Sequence, residues 1–165
     1  MQIVRETGSH FDLDDDGARL LLADLLSRPL FAHLATASDE GPRESPVWFL
    51  WEEGALWVIG NHRTDTFPKR IEREPRCAVG VVDFDAATGL VQHAGLRGRA
   101  RLTPHDPERM ERLLGRYMGE RARWDPRFVE ILDDADYIFI RFDPETVVVR
   151  DQSYELQKGE RPIQD

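Results

Sequence analysis

Between Glu44 and Asn61 the chain reads ESPVWFLWEEGALWVIGN, two apolar runs rich in β-branched and aromatic residues joined by a short acidic turn containing Gly54. Such runs on either side of a glycine-containing turn predict a β-hairpin. Both arms are almost continuously apolar instead of alternating. Both faces are therefore expected to be covered, by a barrel interior and a packed helix or by a second subunit. From Asn61 to Arg70 the pattern switches to basic and hydroxylated residues (NHRTDTFPKR).

The apolar positions Leu20, Leu21, Leu25 and Leu26, led by Asp14, Asp15 and Asp16, predict an N-terminal helix over about 14–28 that ends before Pro29. DLDDDG at 12–17 matches the first half of a calcium loop, but the twelfth position is Ala23 where a bidentate Glu is needed, so the helix N-terminus is preferred. Strands are expected at Leu30–Ala37, Arg43–Trp51, Cys77–Asp83 and Leu90–Thr103, with a short helix over Asp65–Glu74. Asp106, Pro107 and Glu108 open a well-signalled helix that Gly119 ends, and Arg127–Leu132 adds a further turn. Tyr137–Phe142 and Thr146–Arg150 are expected as a strand pair about a DPE turn. The connections are too short for repeated βαβ crossovers. The fold class is mainly β, a small barrel with peripheral helices. One domain over 1–165 is expected, with the barrel core at about 29–103 and 136–151 and inserted helices at about 106–133.

Composition narrows the function. With 41% hydrophobic and 32% charged residues the chain is soluble and globular in character, and no apolar run reaches the length of a membrane span, so the cytoplasm is the expected setting. A net charge of -9 argues against nucleic acid as a partner, which leaves a small ligand held by a local cluster. Cys77 is the single cysteine and is expected in the core, so no intrachain disulfide or cysteine-based zinc site is available.

Arg63, Thr64, Thr66, Lys69 and Arg70 are the densest polar group, placed between a buried strand and a helix start. Charged donors, hydroxyls and backbone N–H groups in that position are the ingredients of a phosphate cradle. The competing reading makes Lys69 and Arg70 solvated helix residues paired with Glu72 and Glu74. His33 is expected as a hydrogen-bonded core histidine, and Arg99 and Arg101 as a solvated or cross-strand-paired face. A hydrolase built on Ser45 or Ser153 lacks a nucleophile elbow.

SPVWFLWEEGALWVIGN, then a polar loop, RIEREPRCAVGVV and a strand ending LRGRARL resemble, over roughly Leu20–Leu102, the pyridoxamine 5'-phosphate oxidase-like family of FMN-binding split β-barrels. The resemblance implies a homodimer with flavin at the subunit interface. Ser45–Leu50, chiefly Val47 and Trp48, would line the ring, with Ile59 and Gly60 beside it and the ribityl chain. Gln92 and His93 fall where the family often has a flavin-contacting glutamine. Three positions depart from the pattern. Thr66 and Phe67 stand in place of the basic phosphate-binding pair, Leu50 replaces a lysine, and VVVRDQS replaces an Arg-Leu-His motif near the C-terminus. What the resemblance implies is therefore an FMN-dependent oxidoreductase acting on a small organic substrate, with hydride passing to or from the ring and no nominated catalytic side chain, and not a true pyridoxamine phosphate oxidase. A deazaflavin or haem is the alternative cofactor, and a non-catalytic binding or sensing protein the alternative function.

Overall fold

A single long strand, β9 (Tyr137–Asp151), forms the spine of the molecule. The computed structural model describes residues 1–7, 10–13 and 16–156, and the side chains of 1–3 and 16–156. In chain order the other elements are β1 (Gln2–Thr7), β2 (His10–Leu13), α1 (Asp16–Ser27), β3 (Ala32–Ser38), β4 (Gly41–Val47), β5 (Leu50–Glu52), β6 (Ala55–Asn61), α2 (Phe67–Arg73), β7 (Arg76–Asp85), β8 (Leu90–Thr103), α3 (Pro107–Met118) and α4 (Pro126–Glu130). Along one edge β9 pairs with β8 throughout. Along the other it pairs first with β6, through Phe142, and then in parallel with β1, from Thr146. From β8 the sheet continues through β7 and β3 to β4, and it does not close on itself. The fold is the open, split form of the expected barrel. Asp14 and Asp15, the expected lead into α1, lie outside the described residues, as does the polar tail from 157 onward.

The expected DPE turn is instead part of β9. Arg97 pairs with Thr146 and Gly98 with Pro144, so Glu145 is an extra residue in a β-bulge. Pro144, which has no N–H to give, falls where β9 leaves β6 and has not yet joined β1. Its missing donor therefore breaks no ladder there.

The opening hairpin is also divided. Gly41–Val47 pairs with β3, whereas Leu50–Glu52 pairs with β6. The chain changes partner at Trp48 and Phe49. Glu53 (φ 55) and Gly54 (φ 68) form the two-residue connection, and positive φ at both positions is the type I′ geometry that matches hairpin twist. β4 is a sheet edge carrying Pro42 and Pro46 and is largely exposed, so the expectation of two covered faces fails for that arm.

It holds for β6. Leu56 and Val58 face the barrel core, with Phe49, Leu96, Ile140 and Phe142. Ala55 and Trp57 face a second cluster built by Met110, Leu113 and Leu114 of α3 with Trp124, Leu132 and Phe139. The second face of β6 is thus covered by the chain's own helices. Cys77 is buried in the barrel core, and burial, with the negative charge of Glu74, pushes its thiol up to about 11, so it is unreactive packing.

α3 is capped as its sequence predicts, the Asp106 carboxylate accepting from the Arg109 N–H. Within α3 a Cβ added at Gly115 would sit 3.8 Å from Trp124 Cζ2, an ordinary contact. Gly115→Ala should therefore raise stability by about 0.5–1 kcal/mol in chemical denaturation; a loss would mean that Trp124 packs more tightly against the helix than the geometry allows for.

Candidate functional site: an apolar cleft at the strand exchange

The point at which the chain leaves β4 and enters β5 opens a cleft of about 530 Å³. Pro46, Val47 and Trp48 form one side, joined by Ile59 of β6, Phe67 at the start of α2, and Phe31. Leu113 and Leu114 of α3, Arg127 and Phe128 of α4, Ile131 and Tyr137 form the other. A concave, mainly apolar space of this size with few polar groups is the usual form of a small-molecule site.

Trp48 is fixed by stacking. Its ring lies 4.6 Å from that of Tyr117 at an interplanar angle of 3°, and 5.6 Å from that of Phe128. The Tyr117 hydroxyl in turn donates to the Leu30 carbonyl at 2.7 Å and accepts from the Phe49 N–H at 3.0 Å, so α3 is pinned across the strand exchange. Burial raises the Tyr117 phenol above its ordinary value. Tyr117→Phe would leave the Phe49 N–H without its partner in a buried setting, and should cost about 1–3 kcal/mol by denaturant titration. No change would show that another acceptor reaches that N–H.

Further contacts hold the helical wall. Glu52, at the end of β5, pairs with Arg109 and with Arg112 at 2.9 Å. Burial pushes the Glu52 carboxyl up, but the hydrogen bonds and charges of Arg112 and Arg109 outweigh it and hold the group below the usual carboxylate value. The Arg109 guanidinium lies 3.6 Å from the Trp57 ring centre. His105 lies with its two ring nitrogens each 2.8 Å from a backbone carbonyl, those of Tyr137 and Leu132, and so tethers the lip that carries Ile131 and Tyr137.

Of the residues expected to line a ring, Val47, Trp48 and Ile59 meet in this cleft. Gly60 is adjacent but faces inward: a Cβ there would lie 2.9 Å from Ile140 Cδ1 and 3.0 Å from Phe67 Cζ, so its side of the strand is closed to a ligand. Only its backbone is left to face one.

The expected phosphate cradle is not assembled. The Asn61 side-chain oxygen accepts from the N–H groups of both Arg63 and Thr64, at 2.9 and 3.1 Å, so those donors are occupied. Asp65 accepts from the Asn61 N–H at 2.7 Å and completes the turn. Arg63 pairs with Asp136 at 2.9 Å. Arg70 donates to Thr36 at 2.8 Å and to the Thr66 hydroxyl at 2.7 Å. Lys69 is exposed. Thr66 caps α2 without a side-chain hydrogen bond to it, and Phe67, in the second position of the family's basic pair, is buried and lines the cleft.

Gln92 and His93 lie elsewhere. The Gln92 amide donates to Asp151 at 3.1 Å, and His93 Nδ1 is 3.2 Å from the Arg150 guanidinium. His93 borders a separate pocket of about 280 Å³ with His33, Gly80, Gly95 and Arg97. His33 is exposed and pairs with Glu44 at 2.7 Å, not the core histidine its apolar strand suggested. Its strand alternates, and position 33 falls on the outer face. Arg101 pairs with Asp143 across strands, as expected of that cationic face.

Six cleft residues from Leu113 to Tyr137 were not marked as functional by the sequence. Met110, Leu113, Leu114 and Tyr117 show the helical spacing that buries one face of α3, but nothing in that spacing says what the face covers.

An unclosed barrel with an apolar cleft at its seam is a split β-barrel. Residues 21–150 match the pyridoxamine 5'-phosphate oxidase family, and the chain belongs to it. No curated protein matches the chain. Among solved structures, a conserved hypothetical protein, Rv2991 of Mycobacterium tuberculosis, is 17% identical with a TM-score of 0.68, the match covering 93% of this chain and 98% of that one. A protein described as an F420 reductase is 26% identical with a TM-score of 0.59, covering 75% and 93%. HutZ, a haem storage protein of Vibrio cholerae, is 16% identical with a TM-score of 0.61, covering 80% and 93%. No described helix is long and apolar enough to cross a membrane.

Proposed function

We propose that this chain is a dimeric, FMN-dependent oxidoreductase that acts on a small organic substrate other than pyridoxamine phosphate. The observation that carries the reading is the meeting of Val47 and Trp48, at the strand exchange, with Ile59 of β6 in one apolar cleft. A bound flavin supplies hydride and electron-transfer chemistry through its ring. The chain's own part is to hold that ring against Val47, Trp48 and Ile59 and to exclude water with the α3–α4 wall.

The ring end of a flavin fits these residues better than the phosphate end. Arg63, Thr66 and Arg70 are engaged with other side chains, and Phe67 replaces a cation. A phosphate would have to be met by Lys69 with Arg70 rotated away from Thr66. A second reading, a deazaflavin cofactor, is supported by the 26% identity to an F420 reductase. Haem has less support, because Tyr137 is the one cleft side chain of a type that ligates haem iron.

The dimer is supported by exposed Phe31, Val82 and Phe84 (53%, 43% and 60%) and by small outward residues, Ala35, Ala78, Gly80 and Gly95, bordering the pocket beside His93. In this dimer Gln92 and His93 reach the ring from the partner's side, since within one chain they lie outside the cleft. The unpaired Cys77 and the acidic, soluble composition fit a cytoplasmic setting. Light scattering should give twice the 19.0 kDa chain mass. Purified protein that retains FMN or a deazaflavin, and is reduced by a nicotinamide or deazaflavin donor, supports the oxidoreductase reading. Cofactor bound but never reduced would turn it into a binding or sensing protein.

A further inference from the structure

The two walls of the cleft differ in origin and in charge. Trp48 and its neighbours belong to the barrel, whereas Leu113, Leu114, Arg127, Phe128 and Ile131 come from the segment inserted between β8 and β9. The chain carries 31 acidic residues and a net charge of -9, yet none of the cleft's lining residues is acidic and one, Arg127, is cationic. Its guanidinium lies 4.7 Å from the centre of the Phe128 ring. Its carboxylate neighbour among the described residues, Asp125, is 3.6 Å away, too long for a bidentate hydrogen-bonded pair. The Tyr137 phenol and the Trp48 indole add neutral polar groups to the lining.

We propose that the cleft takes a planar, apolar substrate carrying one anionic group, a carboxylate or sulfonate, with its rings on the inserted wall at Phe128 and Ile131, opposite the cofactor ring, and its anion on Arg127. This rests on the reading of the cleft as a redox site and names the substrate class for it. Arg127 is then the specificity-determining residue. Arg127 is exposed at the rim of the cleft, and its planar guanidinium, set beside the Phe128 ring, presents the forked donors that a carboxylate or sulfonate accepts from. Tyr137 adds a neutral donor that a ketone or second carboxylate oxygen accepts from.

Four fluorescence titrations on the full chain, wild type and Arg127→Ala, test this. The probes are anilinonaphthalene sulfonate, its uncharged analogue phenylnaphthylamine, FMN and riboflavin. The alanine variant should bind the sulfonate about tenfold more weakly and the other three within about twofold of wild type. Equal losses for both naphthalene probes would overturn the proposal, because Arg127 would then be packing only. An unchanged sulfonate affinity would overturn it too. A loss for FMN without one for riboflavin would assign the anion to the cofactor and sink the substrate assignment. If neither flavin binds the wild type, the flavin reading fails, while the two naphthalene probes still decide the role of Arg127. Matching thermal melts for both proteins confirm that the variant is folded.

Discussion

Gly98→Ala is expected to destabilise the protein by about 3 kcal/mol, the upper part of the range for overpacking a close-packed site. A Cβ at this position would lie 2.1 Å from the Asp143 carbonyl oxygen and 2.8 Å from the Pro144 Cα. Both are backbone atoms, so no side chain can swing aside to relieve the clash. Gly98 faces Pro144 beside the extra residue Glu145, where β9 changes partner from β6 to β1. Any shift there moves two strand pairings at once. In a chain of this size the loss corresponds to a fall in melting temperature of about 6–12 °C. A change below about 1 kcal/mol would mean that the bulge relaxes without cost and that the close approach is not what selects glycine.

Trp48→Ala should weaken flavin or deazaflavin binding at least tenfold, roughly 1.4 kcal/mol. Trp48 lines the cleft, and its orientation is set by stacking with Tyr117 and Phe128. Removing it opens the cleft to water and frees both neighbours. It should also cost about 2 kcal/mol of stability, less than for a fully buried tryptophan because Trp48 is half-buried. Trp48→Phe keeps a ring in the stack and should recover most of the affinity. Quenching of flavin fluorescence on titration gives the affinities. Equal affinities for wild type and Trp48→Ala would place the ring outside this cleft.

Much of the fold was legible because the local signals agreed with the tertiary demand. β8 has the bounds its pattern predicts, Leu90–Thr103, and α3 starts at Pro107 after its Asp106 cap. Two elements were hidden for opposite reasons. Asp143-Pro144-Glu145 carries strong turn chemistry, yet a strand flanked on both edges overrides it by forming a bulge. Glu44–Trp51 reads as one strand, yet Trp48 and Phe49 sit where the backbone changes sheet partners, a choice set by contacts distant in sequence.

The cleft was legible on one side. Val47, Trp48 and Ile59 belong to the apolar strand runs, and the exchange of sheet partners at Trp48 and Phe49 brings them together. The opposite wall comes from residues more than fifty positions further on, and only the packing of α3 against β6 brings it near. In the polar loop, Asn61 and Asp65 fold the segment on itself and occupy the backbone N–H groups of Asn61, Arg63 and Thr64. Counting cations in that stretch does not reveal their partners.

The most direct test of the cleft as a ring-binding site is the absorbance spectrum of freshly purified protein, repeated after incubation with FMN or a deazaflavin and removal of unbound cofactor. The expected result is a visible band of flavin or deazaflavin type that co-elutes with the protein and is lost in Trp48→Ala. A colourless protein that takes up neither compound would contradict it.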